Sequence, residues 1–464
     1  MIRKRYILAA IFGTIILVAC GDNLLSPEQN EQYSGGLTGT TFDESFNAFG
    51  NQVAGLSNSQ LDDFAVGNSF FRNNWVIAPS TTTARDGLGP YYNAASCGGC
   101  HGMDGRGQPP TGISGFNGGM LFRLSISGTD IHGGPLAHPD YGGQLNDISI
   151  PGIPTEGEVT VTYTELPGVY PDGKTYSLRV PAYTVSNPMY GSLSGAMISP
   201  RVAQQIPGLG ILESVDEVTI LSWVDEFDAN GDGISGRANY VWDYINNTTA
   251  LGRFGWKANQ PSIAQQTAGA FLGDMGITSD YFSTENYTPA QAVYAASVPN
   301  GGSPEISMSN LAKVIFYVRA LAVPGRRNVN DQEVLNGKIL FNEVGCNNCH
   351  RETMYTGNTP VINMFANQLI RPYTDLLLHD MGDDLSDNRP DYLAAGNEWR
   401  TPPLWGIGMI SAVNNHTFLL HDGRARNFEE AILWHGGESE EVKNKFMQLN
   451  YLERGYIIKF LESL

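Results

Sequence analysis

Positive charge is scarce in this chain of 464 residues: 28 Lys and Arg stand against 47 Asp and Glu, a formal net charge of -19 at pH 7. Phosphate backbones are gripped by clustered Lys and Arg, so a chain this acidic repels polyanions and nucleic acid is excluded as a partner. The acidic surface suits encounter with a small basic redox protein as electron donor or acceptor.

Long apolar runs are also lacking beyond the first twenty residues, so no later segment is read as a transmembrane helix. At the start, Arg3, Lys4 and Arg5 precede an apolar stretch over residues 6–19 that is too short to span a bilayer comfortably. It closes on Leu17-Val18-Ala19-Cys20, which looks like a bacterial lipobox. Residues 1–20 therefore read as a lipoprotein signal peptide, with Cys20 lipidated and residues 21–44 a polar tether. The alternative is an ordinary leader with an incidental cysteine. The expected location is the bacterial cell envelope, lipid-anchored and facing the periplasm or cell exterior.

Cysteine is the third scarcity. Of five, Cys20 goes to lipid and four fall in two pairs, Cys97 with Cys100 and Cys346 with Cys349, each followed at once by a histidine, His101 and His350. Paired cysteines in an exported chain ordinarily suggest disulfides. A repeated Cys-x-x-Cys-His instead reads as c-type haem attachment, two thiols adding to the vinyl groups on one haem edge while the adjoining imidazole reaches the iron. A redox dithiol or a zinc site would use the cysteines but does not predict a histidine after both pairs. Two haem c groups are expected.

The length exceeds what one core usually organises. An N-terminal haem domain over residues 45–325 and a C-terminal cytochrome c-like domain over 326–464 are expected, mainly α. Helical periodicity marks residues 61–75, 217–227 and 310–321, and a helix over 331–344 runs into Cys346. Alternating apolar and polar residues between about 120 and 185 predict a β-rich insertion in the first domain. Near the C-terminus a short helix is expected over 427–435, capped by Asn427 with Glu430 completing a capping box. Phe428, Ala431, Ile432 and His435 then share one buried face, which makes His435 the candidate distal ligand opposite His350. The rival ligands are Met409 and Met381. The stretch 228–237 sets Asp228, Asn230, Asp232 and the Ile234 carbonyl at alternate positions, as in a calcium loop, although Asn239 stands where such a loop has Glu and ordinary turns use the same residues.

Three C-terminal strings, Glu398-Trp399-Arg400-Thr401-Pro402-Pro403-Leu404-Trp405-Gly406, His421-Asp422-Gly423-Arg424-Ala425 and Glu429-Glu430-Ala431-Ile432, resemble the second haem domain of bacterial dihaem cytochrome c peroxidases. They are similar also to the methylamine dehydrogenase maturation enzyme. The closer likeness is to the dihaem oxidoreductases sometimes labelled predicted thiol oxidoreductases, through Phe254-Gly255-Trp256-Lys257-Ala258, Asp274-Met275-Gly276 and His379-Asp380-Met381-Gly382. The resemblance implies that electrons arrive at the C-terminal haem and pass to a reactive N-terminal one, which reduces peroxide or oxidises a small substrate. It places His435 where the peroxidases carry Met and the maturation enzyme Tyr. It makes Glu213, after the loop Ile206-Pro207-Gly208-Leu209-Gly210-Ile211-Leu212, the candidate acid or base at the reactive haem, while His132 and His138 are alternative caps for its iron. Two other functions compete: an electron-transfer cytochrome with both irons fully ligated, and a tethered binding lipoprotein that docks a partner through its β-rich insertion.

Overall fold

The computed structural model describes residues 24–110 and 119–464. Cys20 and the leader lie outside the described residues. No described helix is long and apolar enough to cross a membrane. The architecture is mixed, with 29% helix and 20% strand, and this corrects the mainly α expectation. After the first Cys-x-x-Cys-His the chain forms strands of six to twelve residues, and after the second it forms short pairings such as Met354–Tyr355 with Leu369–Ile370.

Two helix pairs organise the chain around the two motifs. Helix α1, Asn58–Arg72, starts at a capping box between Ser57 and Gln60 and packs on α3, Met308–Arg319, while α2, Ile263–Met275, closes the same core. Helix α4, Gln332–Val344, is capped by Asp331 and ends at Gly345 immediately before Cys346. It packs on α6, Tyr451–Ser463, which begins at the Asn450–Glu453 capping box. Both pairs meet at a glycine. A Cβ on Gly67 would strike the Lys313 carbonyl of α3, and one on Gly337 would strike the Tyr456 carbonyl of α6. The repeat invisible in sequence thus shows as one device used twice, a helix leading toward a Cys-x-x-Cys-His and crossed closely by a later helix.

The β-rich segment forms two units. Strand β1, Met120–Thr129, pairs antiparallel with β4, Met197–Val202, and sends Met120, Phe122 and Leu124 into an apolar cluster with Trp256 and Trp399. The hairpin of β2, Glu158–Val169, and β3, Thr175–Ser186, leans on the C-terminal half: Tyr170 hydroxyl donates to Glu429 at 2.8 Å, Arg426 pairs with Glu165 at 3.0 Å, and Tyr170 and Leu178 are buried with α4 and α6. Met354, Phe365, Ile370 and Trp405 in turn join the core of α1 and α3, so the two halves interlock.

Between them sits a buried charge network. Lys257, fully buried, donates from Nζ to Asp387 Oδ1 at 2.8 Å and to the carbonyls of Arg389, Ala395 and Gly396 at 3.0, 2.7 and 3.0 Å. Removing one partner of a buried pair strands the other, at about 3–5 kcal/mol. Lys257→Met should therefore lower the stability of the holoprotein by about that much in urea unfolding. A loss under about 1 kcal/mol would mean that Asp387 finds another cation without cost.

Candidate functional site

Two cavities flank the interlocked centre. One is lined by Cys346, Cys349 and His350 together with His435, His379, His421 and Met381. The other is lined by Cys97, Cys100 and His101 with Asp274, Met275 and three arginines, Arg123, Arg201 and Arg400.

Three of these histidines are built alike, and His421 shares their build, its Nδ1 3.1 Å from the Pro200 carbonyl and its Nε2 without a partner among the described residues. Nδ1 of His101 lies 2.7 Å from the Gln204 carbonyl, that of His350 2.9 Å from the Tyr373 carbonyl, and that of His435 2.7 Å from the Ala431 carbonyl. A carbonyl only accepts, so each Nδ1 carries the proton and each Nε2 keeps its lone pair, the tautomer and orientation that metal-bound imidazoles show. Burial holds all three imidazoles below the usual range, His350 down to about 4, so they stay neutral and ligand-ready at ordinary pH. Burial also pushes the Cys97 and Cys346 thiols up to about 12 and raises those of Cys100 and Cys349. Thiols held protonated in apolar walls suit thioether bonds better than thiolate–zinc binding. The residues present fit a haem in each cavity.

His435 follows helix α5, Phe428–Leu433, and donates its own N–H to the Ile432 carbonyl at 3.1 Å. Asn427 caps that helix by accepting from Glu430 N at 2.8 Å. The expected reciprocal bond differs, because the Glu430 carboxylate takes Arg426 N at 2.9 Å and Arg426 Nε at 2.7 Å. Of the rival thioethers, Met381 lines the same cavity, whereas Met409 is buried in the α4–α6 core.

Other sequence candidates lie elsewhere. Glu213 lines neither cavity: its carboxylate is held by Arg319 Nε and Nη2 at 2.6 and 3.1 Å and accepts Ile263 N at 2.9 Å at the start of α2. His132 stacks on Trp242 with ring centroids 4.1 Å apart, and His138 packs against Tyr141, so neither caps a cavity. Asp228, Asn230 and Asp232 sit on an exposed loop, where their side chains accept the N–H groups of Gly233, Asp232 and Ile234 as in ordinary Asx turns. Among the described residues no group of three or more His, Cys, Asp or Glu is arranged to hold a metal.

Sequence reasoning passed over several cavity residues. Asp274, inside a quoted motif, is the carboxylate lining the Cys97 cavity, and it accepts from Gln144 Nε2 at 2.9 Å. Trp256, Gln205 and Arg400 line both cavities and so form the wall between them. His379 is held between Asp375 and Glu438, 2.9 and 3.0 Å from its two ring nitrogens, and those carboxylates keep it protonated well above the usual histidine range beside Cys349.

Two cavities, each walled by a Cys-x-x-Cys-His whose imidazole donates from Nδ1 to a backbone carbonyl, define a haem protein. The chain belongs to the di-haem oxidoreductase family: the family described as "Di-haem oxidoreductase, putative peroxidase" matches residues 29–464. No curated protein matches it. Among solved structures, a chain of "Kuenenia stuttgartiensis Hydrazine Synthase Pressurized with 20 bar Xenon" is 20% identical over 42% of this chain and 60% of that chain, under two thirds of its length, with a TM-score of 0.24. At that TM-score the likeness carries no argument about fold or function.

Proposed function

We propose that the chain is a lipid-anchored di-haem c-type peroxidase-like enzyme of the bacterial envelope. A small redox protein delivers electrons to the C-terminal site, residues 326–464, and the N-terminal site, residues 45–325, turns over peroxide or another small substrate. The observation that supports this is an asymmetry. The C-terminal cavity offers three free imidazole nitrogens, on His350, His435 and His421, whereas the described lining of the N-terminal cavity offers His101 alone. Bound haem supplies one-electron chemistry at both sites and, where one axial position is free, a place for peroxide oxygen.

The chain's own groups then divide the work. His350 and His435 would together hold the haem iron at the C-terminal site, which would leave no opening for substrate. On the other side, Asp274 is positioned to take or return a proton within the cavity, and the Gln144 amide orients it. Trp256 fills the wall between the sites, fixed by its indole N–H to the Val202 carbonyl at 2.9 Å, and Arg106 stands over its ring at 5.1 Å. An aromatic ring there shortens the gap electrons must cross.

The test is a cyanide titration of the ferric protein, with haem content fixed by pyridine haemochrome. The expected result is a high-spin fraction and a cyanide shift corresponding to one haem per chain. Two low-spin haems that ignore cyanide would sink the reading and leave an electron-transfer cytochrome.

A further inference from the structure

We propose that Arg201, with Arg123 beside it, is a carboxylate clamp that holds the propionates of the N-terminal haem. The inference rests on the reading that Cys97, Cys100 and His101 carry that haem.

Strand alternation puts the two arginines together. In the β1–β4 register Leu121 stands opposite Arg201 and Arg123 opposite Ser199, so Leu121, Arg123 and Arg201 fall on one face of the pair. All three line the cavity of Cys97, while the alternate residues Met120, Phe122 and Leu124 are buried in the apolar cluster behind. The β-rich segment is therefore a wall of the N-terminal site.

The charge behind that wall does not balance. Arg201 is only 5% exposed; its Nε donates to Ser199 Oγ at 2.9 Å and its Nη1 pairs with Asp391 at 3.1 Å. Its Nη2 stands 3.8 Å from Asp387 and has no hydrogen-bond partner among the described residues. Both carboxylates already serve other cations, Asp387 taking Lys257 at 2.8 Å and Asp391 taking Arg389 at 3.1 Å. Among charges, Asp274 acts most favourably on Arg123, which burial otherwise pushes below the usual arginine range. Three buried cations, Arg201, Lys257 and Arg389, thus share two carboxylates, Asp387 and Asp391. Arg400, on the facing wall, donates to the Gly255 and Thr401 carbonyls and to Gln204, with no ion pair among the described residues.

A buried positive excess is costly unless an anion meets it, and a guanidinium with an unfilled donor favours a carboxylate, which it can bind with two parallel bonds. Haem brings two carboxylates on the edge opposite its vinyl groups. A soluble organic acid has the same chemistry, and the experiment separates the two sources.

The holoprotein is prepared as wild type, Arg201→Gln, Arg201→Lys and Arg123→Gln, the last on a half-buried residue in case the Arg201 variants fail to fold. Haem on the Cys97–Cys100 peptide is confirmed by mass, and each haem is titrated by spectroelectrochemistry at several pH values. Losing a cation beside a propionate favours the ferric state and raises the propionate pKa. In both Gln variants the reduced-to-oxidised ratio of the N-terminal haem at the wild-type midpoint should fall about tenfold. The pH-dependent part of its potential should move upward, Arg201→Lys should recover most of the loss, and the C-terminal haem should not respond. Unchanged potential and pH profile in variants that retain haem would overturn the clamp. So would a wild-type spectral shift on adding acetate that Arg201→Gln abolishes, since the clamp would then hold a free carboxylate. A Cys97–Cys100 peptide without haem mass would overturn the underlying reading instead.

Discussion

Changing Cys346 and Cys349 together to alanine should halve the haem content per chain and strongly destabilise the C-terminal half. The magnitude follows from the cavity. Residual empty space in a core costs about 24 cal/mol per Å³, so leaving about 150 Å³ unfilled would cost about 4 kcal/mol, against a typical total stability of about 5–15 kcal/mol. The walls of this site include Phe341, Leu404, Phe428 and Leu461, which belong to the α4–α6 core. The variant should show one haem by intact mass, a lower thermal midpoint and rapid proteolysis within residues 326–464. Two haems by mass would refute covalent attachment at this motif. One haem with an unchanged midpoint would show that the cavity collapses without cost.

Local chemistry made part of the site legible in the sequence. The two Cys-x-x-Cys-His motifs are contiguous, the helix before Cys346 announces itself by Asp331 and Gly345, and His435 follows from one helical face over nine residues. The hairpin, too, is visible in its alternation, though its role is not: Tyr170 and Leu178 are buried against the C-terminal half, and the contact that decides this, Tyr170 with Glu429, spans 259 residues. Long-range pairing also sets the surroundings of Glu213. Its preceding loop draws attention to it in the sequence, and its environment is set by Arg319, 106 residues on, which takes both carboxylate oxygens. The same holds for Arg201, whose significance depends on strand β1, far back in the chain, and on Asp391, far ahead. The long strands between residues 120 and 202 make the fold mixed, and the short pairings add to them unannounced, because no periodicity of useful length marks a two-residue strand.

Replacing His435 by methionine should raise the midpoint potential of the C-terminal haem by roughly 0.1 to 0.3 V, within the about 0.8 V that axial ligands span. Imidazole stabilises ferric iron better than a thioether does, and His435 is prepared as an imidazole ligand by its Nδ1–H bond to the Ala431 carbonyl and by burial that keeps it neutral. Methionine is unbranched and flexible enough to reach the position from the end of α5 without disturbing Asn427 or Glu430, which hold the start of that helix. His435→Ala should act differently, opening the C-terminal site so that cyanide uptake rises from one to two per chain. The N-terminal haem should keep its potential in both variants, since His435 lines only the other cavity. Near-infrared magnetic circular dichroism distinguishes the ligand pairs: the wild type should lack a His–Met charge-transfer band and His435→Met should gain one. A band already present in the wild type and surviving His435→Ala would assign the position to Met381, the thioether lining the same cavity, and would leave His435 as a buried histidine hydrogen-bonded to its own helix.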